Sequence, residues 1–182
     1  MDKRTEIRLA GEGGQGMILA GIILAEAAAI YDGKQATQTQ SYGPEARGGA
    51  SRSEVVISDG EIDHPEVLSA DVVVTLSQEA YKKFANTVNA DGLLIVDEDR
   101  VKTSAGFSGV KIPIVRIAQE TTGKAITANT VALGVLVELT NLVSRESIEK
   151  AVTARAPKGT EEMNRRALQA GFAAAEQVKA AV

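Results

Sequence analysis

The sequence predicts an α/β protein of the three-layer, Rossmann-like type, with a mostly parallel sheet, helices on both faces and a small hairpin. Three observations lead to this prediction. Short apolar runs alternate with longer runs rich in Ala, Ile and Leu, as strands alternate with helices in βαβ units. A glycine-rich loop separates the first two of these runs. Aromatic residues make up only 3% of the chain, so aliphatic side chains must form the core, as in parallel sheets packed closely against helices.

The composition limits the class of protein. With 182 residues, of which 44% are apolar and 24% charged, the chain is expected to form a single domain over residues 1–182. Its net charge of −4 argues against nucleic-acid binding, because neutralising phosphates requires a basic face. The chain contains no cysteine, which excludes a disulfide, a cysteine-ligated iron–sulfur cluster and a thiolate nucleophile on this chain.

The apolar run at 17–30 is interpreted as neither a signal peptide nor a membrane span. A strand and a glycine loop separate it from Lys3 and Arg4, whereas a signal peptide places its charges next to the apolar run. The run also carries Glu26 and is shorter than the roughly 20 apolar residues that a bilayer requires. We therefore expect a soluble, cytoplasmic protein with no membrane partner.

The first strand–loop–helix unit contains the most informative motif. A predicted strand at 5–10 precedes the sequence G-E-G-G-Q-G at 11–16, and a helix at 17–31 follows until Asp32-Gly33 ends it. Glycines in such a loop permit a tight turn, approach of the backbone to a phosphate and close helix–strand packing. The first helical N–H groups and the helix dipole then favour an anion. The residues predicted to bind a phosphate-bearing ligand are Gly11, Gly13, Gly14, Gln15 and Gly16.

The second predicted strand, at 34–40, is unusually polar. This composition indicates either an edge strand or a strand whose end lines a site. A nicotinamide-dependent enzyme would offer Asp or Glu to the ribose near the end of this strand. Thr39, Gln40 and Ser41 occupy that place instead, which weakens the nicotinamide interpretation.

The glycine-rich loop at 41–49 is the second candidate ligand site, because α/β folds bind ligands in loops at strand ends. Arg47 and Arg52 could each form a forked contact with a phosphate or carboxylate. Alternatively, Glu45 pairs with one of these arginines and merely orders the loop. The flanking glycines favour a ligand, and Tyr42 is included among the candidate ligand residues.

The next segment predicts the hairpin. A strand at 53–58 ends at Asp59-Gly60, which is a hairpin signal, and 62–68 is expected to return beside it. His64, the only histidine, precedes Pro65 and is interpreted as a surface residue rather than an acid–base group.

Two buried strands are predicted at 71–76 and 92–96. Ser77 is expected to cap a helix that follows the first of them, and its helix start is a further candidate ligand position, with a simple cap as the alternative. The acidic run at 97–99 is interpreted as a solvated turn rather than a metal site, since no second ligand cluster is visible.

The last part of the chain is predicted to be mainly helical. A strand at 111–117 contains Pro113, which suits an edge position. Helices follow at 128–142, at 145–155 with Ser144 as the N-cap, and at 160–182. The last helix is predicted to present a face of small and apolar residues, namely Met163, Ala167, Ala170, Ala174 and Val178. We therefore expect the isolated chain to self-associate through this face, the polar second strand and the loop at 41–52.

Taken together, these motifs resemble the gamma subunit of the 2-oxoacid:ferredoxin oxidoreductases, in particular the 2-oxoglutarate branch. The resemblance extends over nearly the whole chain. Beyond the glycine loop, it rests on the segments at 40–57, 77–81 and 157–164, which include S-Q-E-A-Y and P-K-G-T-E-E-M-N.

The resemblance implies a multi-subunit enzyme that decarboxylates a 2-oxoacid on thiamine diphosphate and forms an acyl-CoA and CO₂. Electrons would pass through iron–sulfur clusters to ferredoxin. It further implies that alpha and beta partner subunits, and in some enzymes a ferredoxin-like delta subunit, hold thiamine diphosphate, Mg²⁺ and the clusters. This chain would cover the active site and help to bind coenzyme A. The absence of cysteine agrees with that division, and no catalytic residue or metal ligand is assigned to this chain.

Two other functions remain as alternatives. A stand-alone nicotinamide-dependent dehydrogenase is opposed by the missing acidic residue after the second strand and by the lack of a convincing proton-transfer residue. A non-catalytic assembly subunit with an empty glycine loop stays open, because glycines that allow close packing look the same in sequence as glycines that approach a ligand.

Overall fold

The computed structural model describes residues 3–42 and 49–181, which form a six-stranded sheet in the order β2-β3-β1-β4-β5-β6. The strands are β1 (Arg4–Glu12), β2 (Gln35–Ser41), β3 (Ala50–Ser58), β4 (Ala70–Thr75), β5 (Val88–Asp97) and β6 (Val110–Ile112). The helices are α1 (Met17–Glu26), extended by a π-helical turn (Ala27–Tyr31), α2 (Gln78–Phe84), α3 (Ile114–Thr122), α4 (Ala128–Thr140), α5 (Arg145–Arg155) and α6 (Glu161–Ala180). Short 3₁₀ turns lie at Ala85–Thr87 and Ala125–Thr127.

The sheet is mostly parallel, which confirms the predicted fold class. Strands β1, β4, β5 and β6 are parallel neighbours, and β3 alone runs antiparallel to both of its neighbours, β1 and β2. The polar strand β2 lies at the edge of the sheet, as one of the two sequence interpretations required.

The hairpin is formed by β2 and β3, so the predicted hairpin at Asp59-Gly60 is wrong. The segment 62–68 is not a strand, because β1 and β2 already occupy both edges of β3. The Glu6 carboxylate instead holds the end of this segment by accepting the N–H groups of Leu68 and Ser69 at 2.8 and 3.1 Å.

The predicted strand at 111–117 is also only partly correct. Strand β6 stops at Ile112, and Pro113 is the N-cap residue of α3. The buried residues of α3 are Ile114, Val115 and Ala118, which is helical rather than strand spacing. The short β6 is the second edge strand, in agreement with the edge position predicted from Pro113.

Helices cover both faces of the sheet, but unequally. Helices α1, α3, α4, α5 and α6 share the larger apolar core, and α4 is buried from Ala128 to Glu138. Helix α2 lies on the opposite face, where its Tyr81 and Phe84 pack against a smaller apolar cluster that includes side chains of β3, β4 and β5. None of the helices in the described part of the chain combines the length and apolar composition needed to cross a bilayer.

The closest helix pair is α4 and α6. A Cβ atom on Gly134 would lie 2.4 Å from the Leu168 carbonyl oxygen, and one on Gly171 would lie 2.3 Å from that of Val131. Glycine at both positions therefore lets the two backbones touch. The buried face of α6 consists of Ala167, Leu168, Gly171, Phe172 and Ala175.

This arrangement corrects the face predicted for the last helix. Of the five predicted residues only Ala167 is buried, and the others are half-buried at the margins of the contact. The small residues of α6 therefore serve a contact within this chain, and they do not require a partner.

A buried carboxylate joins α4 to the two helices that follow it. Glu138 accepts hydrogen bonds from Lys179 Nζ at 2.9 Å and from Arg145 Nη2 at 2.5 Å. Arg145 also pairs with Glu176 and lies 4.8 Å from the centroid of the Phe172 ring. The hydrogen bond from Lys179 lowers the pKa of the Glu138 carboxyl below its ordinary value of 4.5, and Arg145 adds to this effect while burial opposes it.

We predict that Glu138→Gln lowers the free energy of unfolding at neutral pH by about 1.5–3 kcal/mol, because hydrogen bonds to a buried charged group are lost. The folded pKa lies below the unfolded value, so this stabilisation is complete above 4.5 and disappears as the pH falls through the folded pKa. Urea unfolding from neutral pH down to about pH 3 should show the two proteins converging. Glu176→Gln is the exposed control and should cost under about 1 kcal/mol. A Glu138→Gln penalty that does not change with pH would contradict the ionic account.

Candidate functional site

The candidate site lies at the carboxyl ends of the parallel strands β1, β4, β5 and β6. After β1 the chain continues to β2, towards one edge strand of the sheet. After β4 it continues to β5, towards the opposite edge strand. The ends of β1 and β4 therefore define the topological switch point, the place where open α/β sheets bind ligands.

The glycine loop lies at this point, as predicted, but its first two residues, Gly11 and Glu12, still belong to β1. Gly14 and Gly16 have left-handed backbone conformations, with φ of 89° and 74°. A Cβ atom on Gly13 or Gly14 would meet no atom within 4 Å. Gly16 is the N-cap residue of α1 and, having no side chain, it does not cap the helix end. The loop therefore presents open backbone beside a helix N-terminus.

Gln15 connects the ends of the two central strands. Its Oε1 accepts the Glu12 N–H at 2.7 Å, and its Nε2 donates to the Leu76 carbonyl at 3.2 Å. A Cβ atom on Gly11 would lie 2.5 Å from Gln15 Oε1, so this glycine makes room for the side chain. Both polar atoms of Gln15 thus form hydrogen bonds within the chain, and its predicted contact with a ligand stays a prediction.

Polar side chains of α4 and α6 hold the far end of the loop. Asn129 Nδ2 donates to the Gly16 carbonyl at 3.4 Å, and its Oδ1 accepts the Thr130 N–H at 2.8 Å. Thr130 Oγ1 in turn donates to Asn164 Oδ1 at 3.0 Å. Thus the first turn of α4 lies against the start of α1, and the first turn of α6 contacts that of α4.

Two adjoining cavities flank the loop. One has a volume of about 240 Å³, and its lining includes Gly13, Gly14 and Gln15. The other, of about 370 Å³, extends along α3. The residues common to both linings are Arg100, Val115 and Ala125.

Arg100 is exposed and forms no ion pair with any residue in the part of the chain that the structure describes. Its guanidinium group is therefore available to an anion in this cleft.

The acidic run after β5 is a structural turn, but it is not uniformly solvated. Asp97 is fully buried, and its Oδ1 accepts the N–H groups of Asp99 and Arg100 at 3.0 and 2.9 Å. Its Oδ2 accepts the Val115 N–H at 2.8 Å in the first turn of α3. The Asp99 side chain pairs with Arg116 at 3.1 Å. Among residues 3–42 and 49–181, no group of three or more acidic or histidine side chains is arranged to hold a metal ion.

The structure places Arg52 away from the cleft. Its backbone pairs with Ala10 of β1, but its guanidinium lies 5.7 Å from the Phe84 ring centroid and 3.7 Å from Glu54 Oε1. These contacts are on the face of the sheet that carries α2. Tyr42 is 70% exposed and follows the edge strand β2. Arg47 and Glu45 lie outside the described residues.

Ser77 lies next to the glycine loop, since the carbonyl of the preceding Leu76 accepts the Gln15 amide. Its hydroxyl accepts the Ala80 N–H at 3.2 Å, which confirms the predicted helix cap. The hydroxyl thus caps α2, and its predicted role in ligand binding stays a prediction.

The sheet order bears on the nicotinamide alternative. In a dinucleotide-binding fold, the strand that offers the ribose-binding acid lies beside the first strand. Here the antiparallel β3 occupies that place, with Ala50 opposite Glu12. The end of β2 is therefore one strand too far from the glycine loop for this mode of binding.

Sequence reasoning did not identify Arg100 as a candidate. The available signal was a basic residue within three residues of the end of a buried strand, because parallel strands place such residues near the glycine loop. The three acidic residues before Arg100 led to the interpretation of this segment as a solvated turn, so Arg100 was not considered as a ligand residue.

Comparison with known proteins gives the family. The sequence model of the pyruvate ferredoxin/flavodoxin oxidoreductase family matches residues 6–174. The 2-oxoglutarate synthase subunit KorC of Methanocaldococcus jannaschii is 54% identical over 179 residues, which are 96% of each chain. The same subunit of Methanothermobacter marburgensis is 51% identical over 92% of this chain and 95% of its own.

Solved structures give the same result. The gamma subunit of a keto/oxoacid ferredoxin oxidoreductase from Geobacter sulfurreducens has a TM-score of 0.88 at 50% identity, covering 96% of this chain and 98% of that chain. The 2-oxoglutarate:ferredoxin oxidoreductase of Magnetococcus marinus, solved with 2-oxoglutarate, coenzyme A and succinyl-CoA bound, has a TM-score of 0.85 at 26% identity. That match covers 96% of this chain and 31% of the longer chain.

The fold and the relatives define a subunit of an oxidoreductase complex. The chain belongs to the pyruvate ferredoxin/flavodoxin oxidoreductase family, as the gamma-type subunit of a 2-oxoacid:ferredoxin oxidoreductase. This confirms the resemblance indicated by the sequence motifs.

We predict that Gly16→Ala destabilises the chain by at least about 1–2 kcal/mol, the usual cost of a left-handed conformation for a residue with a Cβ atom. The added Cβ would also lie 2.7 Å from Asn129 Nδ2. Gly13→Ala is the matched control, because Gly13 has open space around it and no positive φ, and it should change stability by under about 0.5 kcal/mol. Urea unfolding measures both. Equal losses in the two variants would show that the loop is packed more uniformly than these contacts indicate.

Proposed function

We propose that this subunit binds coenzyme A at the glycine loop and covers the active site of an enzyme that oxidises 2-oxoglutarate to an acyl-CoA and CO₂. The observation that carries this proposal is the cleft in which the open backbone at Gly13 and Gly14 meets the exposed Arg100. The choice of 2-oxoglutarate is supported by the names of the relatives at 51% and 54% identity.

The chemistry of coenzyme A suits this cleft. Its pyrophosphate and 3′-phosphate groups are anionic, whereas the chain carries a net charge of −4 and must attract anions locally. Backbone N–H groups at the start of α1 can donate to phosphate oxygens, and a guanidinium can form a forked contact with the same group. The Magnetococcus marinus relative, which has the same fold, was solved with coenzyme A bound.

The remaining chemistry belongs to partner subunits in this proposal. Thiamine diphosphate and Mg²⁺ would lie on alpha and beta subunits, and iron–sulfur clusters there or on a delta subunit would pass electrons to ferredoxin. This chain has no cysteine with which to ligate a cluster. Its role is to bind and orient the acyl acceptor and to exclude water from the site.

A second candidate function is a purely structural subunit. It is favoured by the contacts of Gln15 and Gly16, which show that part of the glycine loop serves packing within the chain. Gly13 distinguishes the two functions, because neither a neighbouring atom nor a positive φ requires glycine there.

We predict that Arg100→Ala in the assembled complex raises the apparent Kd for coenzyme A by roughly 10- to 150-fold, equivalent to one charge-assisted contact of about 1.5–3 kcal/mol. Arg100→Lys should restore only part of the affinity, because lysine keeps the charge but not the fork. Gly13→Val should also weaken binding while thermal unfolding stays near that of the parent protein. Binding is measured by calorimetry on the reconstituted complex.

Arg166→Ala provides the control, since Arg166 is an exposed arginine of α6 whose guanidinium donates to the Thr121 carbonyl outside the cleft. It should leave the affinity for coenzyme A unchanged.

The same assay of Arg52→Ala and Arg47→Ala tests the two arginines predicted from the sequence. A similar loss of affinity is expected for each of them that contacts the ligand. Arg100 and Gly13 variants that fold and keep affinity within twofold would support the structural function instead.

We also predict that the purified chain alone has no oxidoreductase activity. Without cysteine it cannot hold the clusters through which electrons would leave the substrate. The assay contains 2-oxoglutarate, coenzyme A, thiamine diphosphate and a viologen dye. Dye reduction by this chain alone would contradict its assignment as one part of a larger enzyme, and activity should appear only on adding the partner subunits.

A further inference from the structure

The edge strand β2 lacks the charged residues, the proline and the bulge that often protect a sheet edge. Its seven residues, Gln35–Ser41, include no charged residue and no proline, and none of them is buried. Their pairing with β3 is continuous, without a bulge. No described residue pairs with the outer edge of β2. Such a regular, uncharged edge is a template for another strand.

The opposite edge of the same sheet is protected. Strand β6 has only three residues, is followed directly by Pro113, and lies in contact with α6. Short length, a proline and a covering helix are devices that prevent strand addition. Within residues 3–42 and 49–181, therefore, one edge of the sheet is blocked and the other is unpaired.

The helix beside β2 also carries apolar surface. Helix α1 and its π-helical turn contact β3 and β2, and Glu26 is the only charged residue from Met17 to Tyr31. A helix that is apolar on all sides normally has all sides covered. Yet Leu19 and Ile30 are 38% and 65% exposed. Apolar surface therefore accompanies the open strand edge.

We propose that β2 pairs antiparallel with β2 of a second copy of this chain, which joins the two sheets into one across a twofold axis. The choice of occupant rests on the self-complementarity of the strand. Because β2 has no charge, a twofold pairing brings no like charges together. Full overlap of the seven residues puts Gln38 opposite Gln38 and Thr37 opposite Thr39, and Thr pairs are favourable across strands. The two copies of α1 then lie on the same face of the joined sheet.

The absence of cysteine makes the register directly testable. Directly opposed residues in an antiparallel pair have Cα atoms about 4.5–5.5 Å apart, within the range of a disulfide. Gln38→Cys in the full-length chain should therefore form a disulfide-linked dimer under mild oxidation. Thr39→Cys alone should not, because its own copies are diagonal neighbours at about 7–8 Å or more. A mixture of Thr37→Cys and Thr39→Cys chains should form the mixed disulfide.

Sedimentation provides an independent test of the association. The unmodified chain should sediment as a dimer. Gln38→Lys should sediment as a monomer, because it opposes two like charges at the twofold axis. Asn86→Lys adds the same charge to an exposed 3₁₀ turn elsewhere and should leave the dimer intact. Circular dichroism confirms that both variants fold.

Several results would overturn the proposal. These are a monomer of the unmodified chain at the highest soluble concentration, a Thr39→Cys homodimer without a Gln38→Cys homodimer, and a dimer that Gln38→Lys leaves unchanged. A monomer whose β2 amides become protected from hydrogen exchange only on adding partner subunits would also overturn it, and would assign the edge to a different chain.

Discussion

The position of β1 between the antiparallel β3 and the parallel β4 is the constraint on which the rest of this structure depends. Because the chain continues to opposite sides of the sheet after β1 and after β4, their ends meet and leave a crevice. Gln15 crosses that crevice, with one polar atom bonded to the end of β1 and the other to Leu76 beyond β4. The loop conformation, the start of α1 and the cap of α2 are thereby fixed relative to one another.

The glycine loop combines two functions that a sequence motif cannot separate. Gly11 and Gly16 have neighbours that leave no room for a Cβ atom, whereas Gly13 and Gly14 face open space. The first pair therefore serves packing, and it makes the loop rigid. A rigid loop loses little conformational entropy when an anion binds, so packing at the outer glycines supports binding at the inner ones.

The sequence predicted the sheet class, the glycine loop, the Ser77 and Ser144 caps and the bounds of α5, because each depends on local patterns. It failed where tertiary neighbours decide the outcome. The strand predicted at 62–68 does not form, because β3 has no free edge to pair with it. The composition of the residues after Pro113 does not distinguish a strand from a helix. The buried Asp97 favours a helix there by accepting the Val115 N–H. Likewise, nothing in the sequence shows that Arg52 faces Phe84 rather than the crevice.

Asp97 also connects the acidic composition of the chain with its proposed anionic ligand. A carboxylate at the end of a strand near the crevice would normally repel phosphate. Here Asp97 is fully buried and accepts three backbone N–H groups, so its charge is offset locally. One of these N–H groups belongs to Arg100, and the turn that the carboxylate holds is the one that places Arg100 at the cleft. Asp97 belongs to the acidic run that indicated a solvated turn in the sequence, yet in the structure it positions Arg100. The place of the Arg100 guanidinium beside the glycine loop thus depends on the buried Asp97 carboxylate.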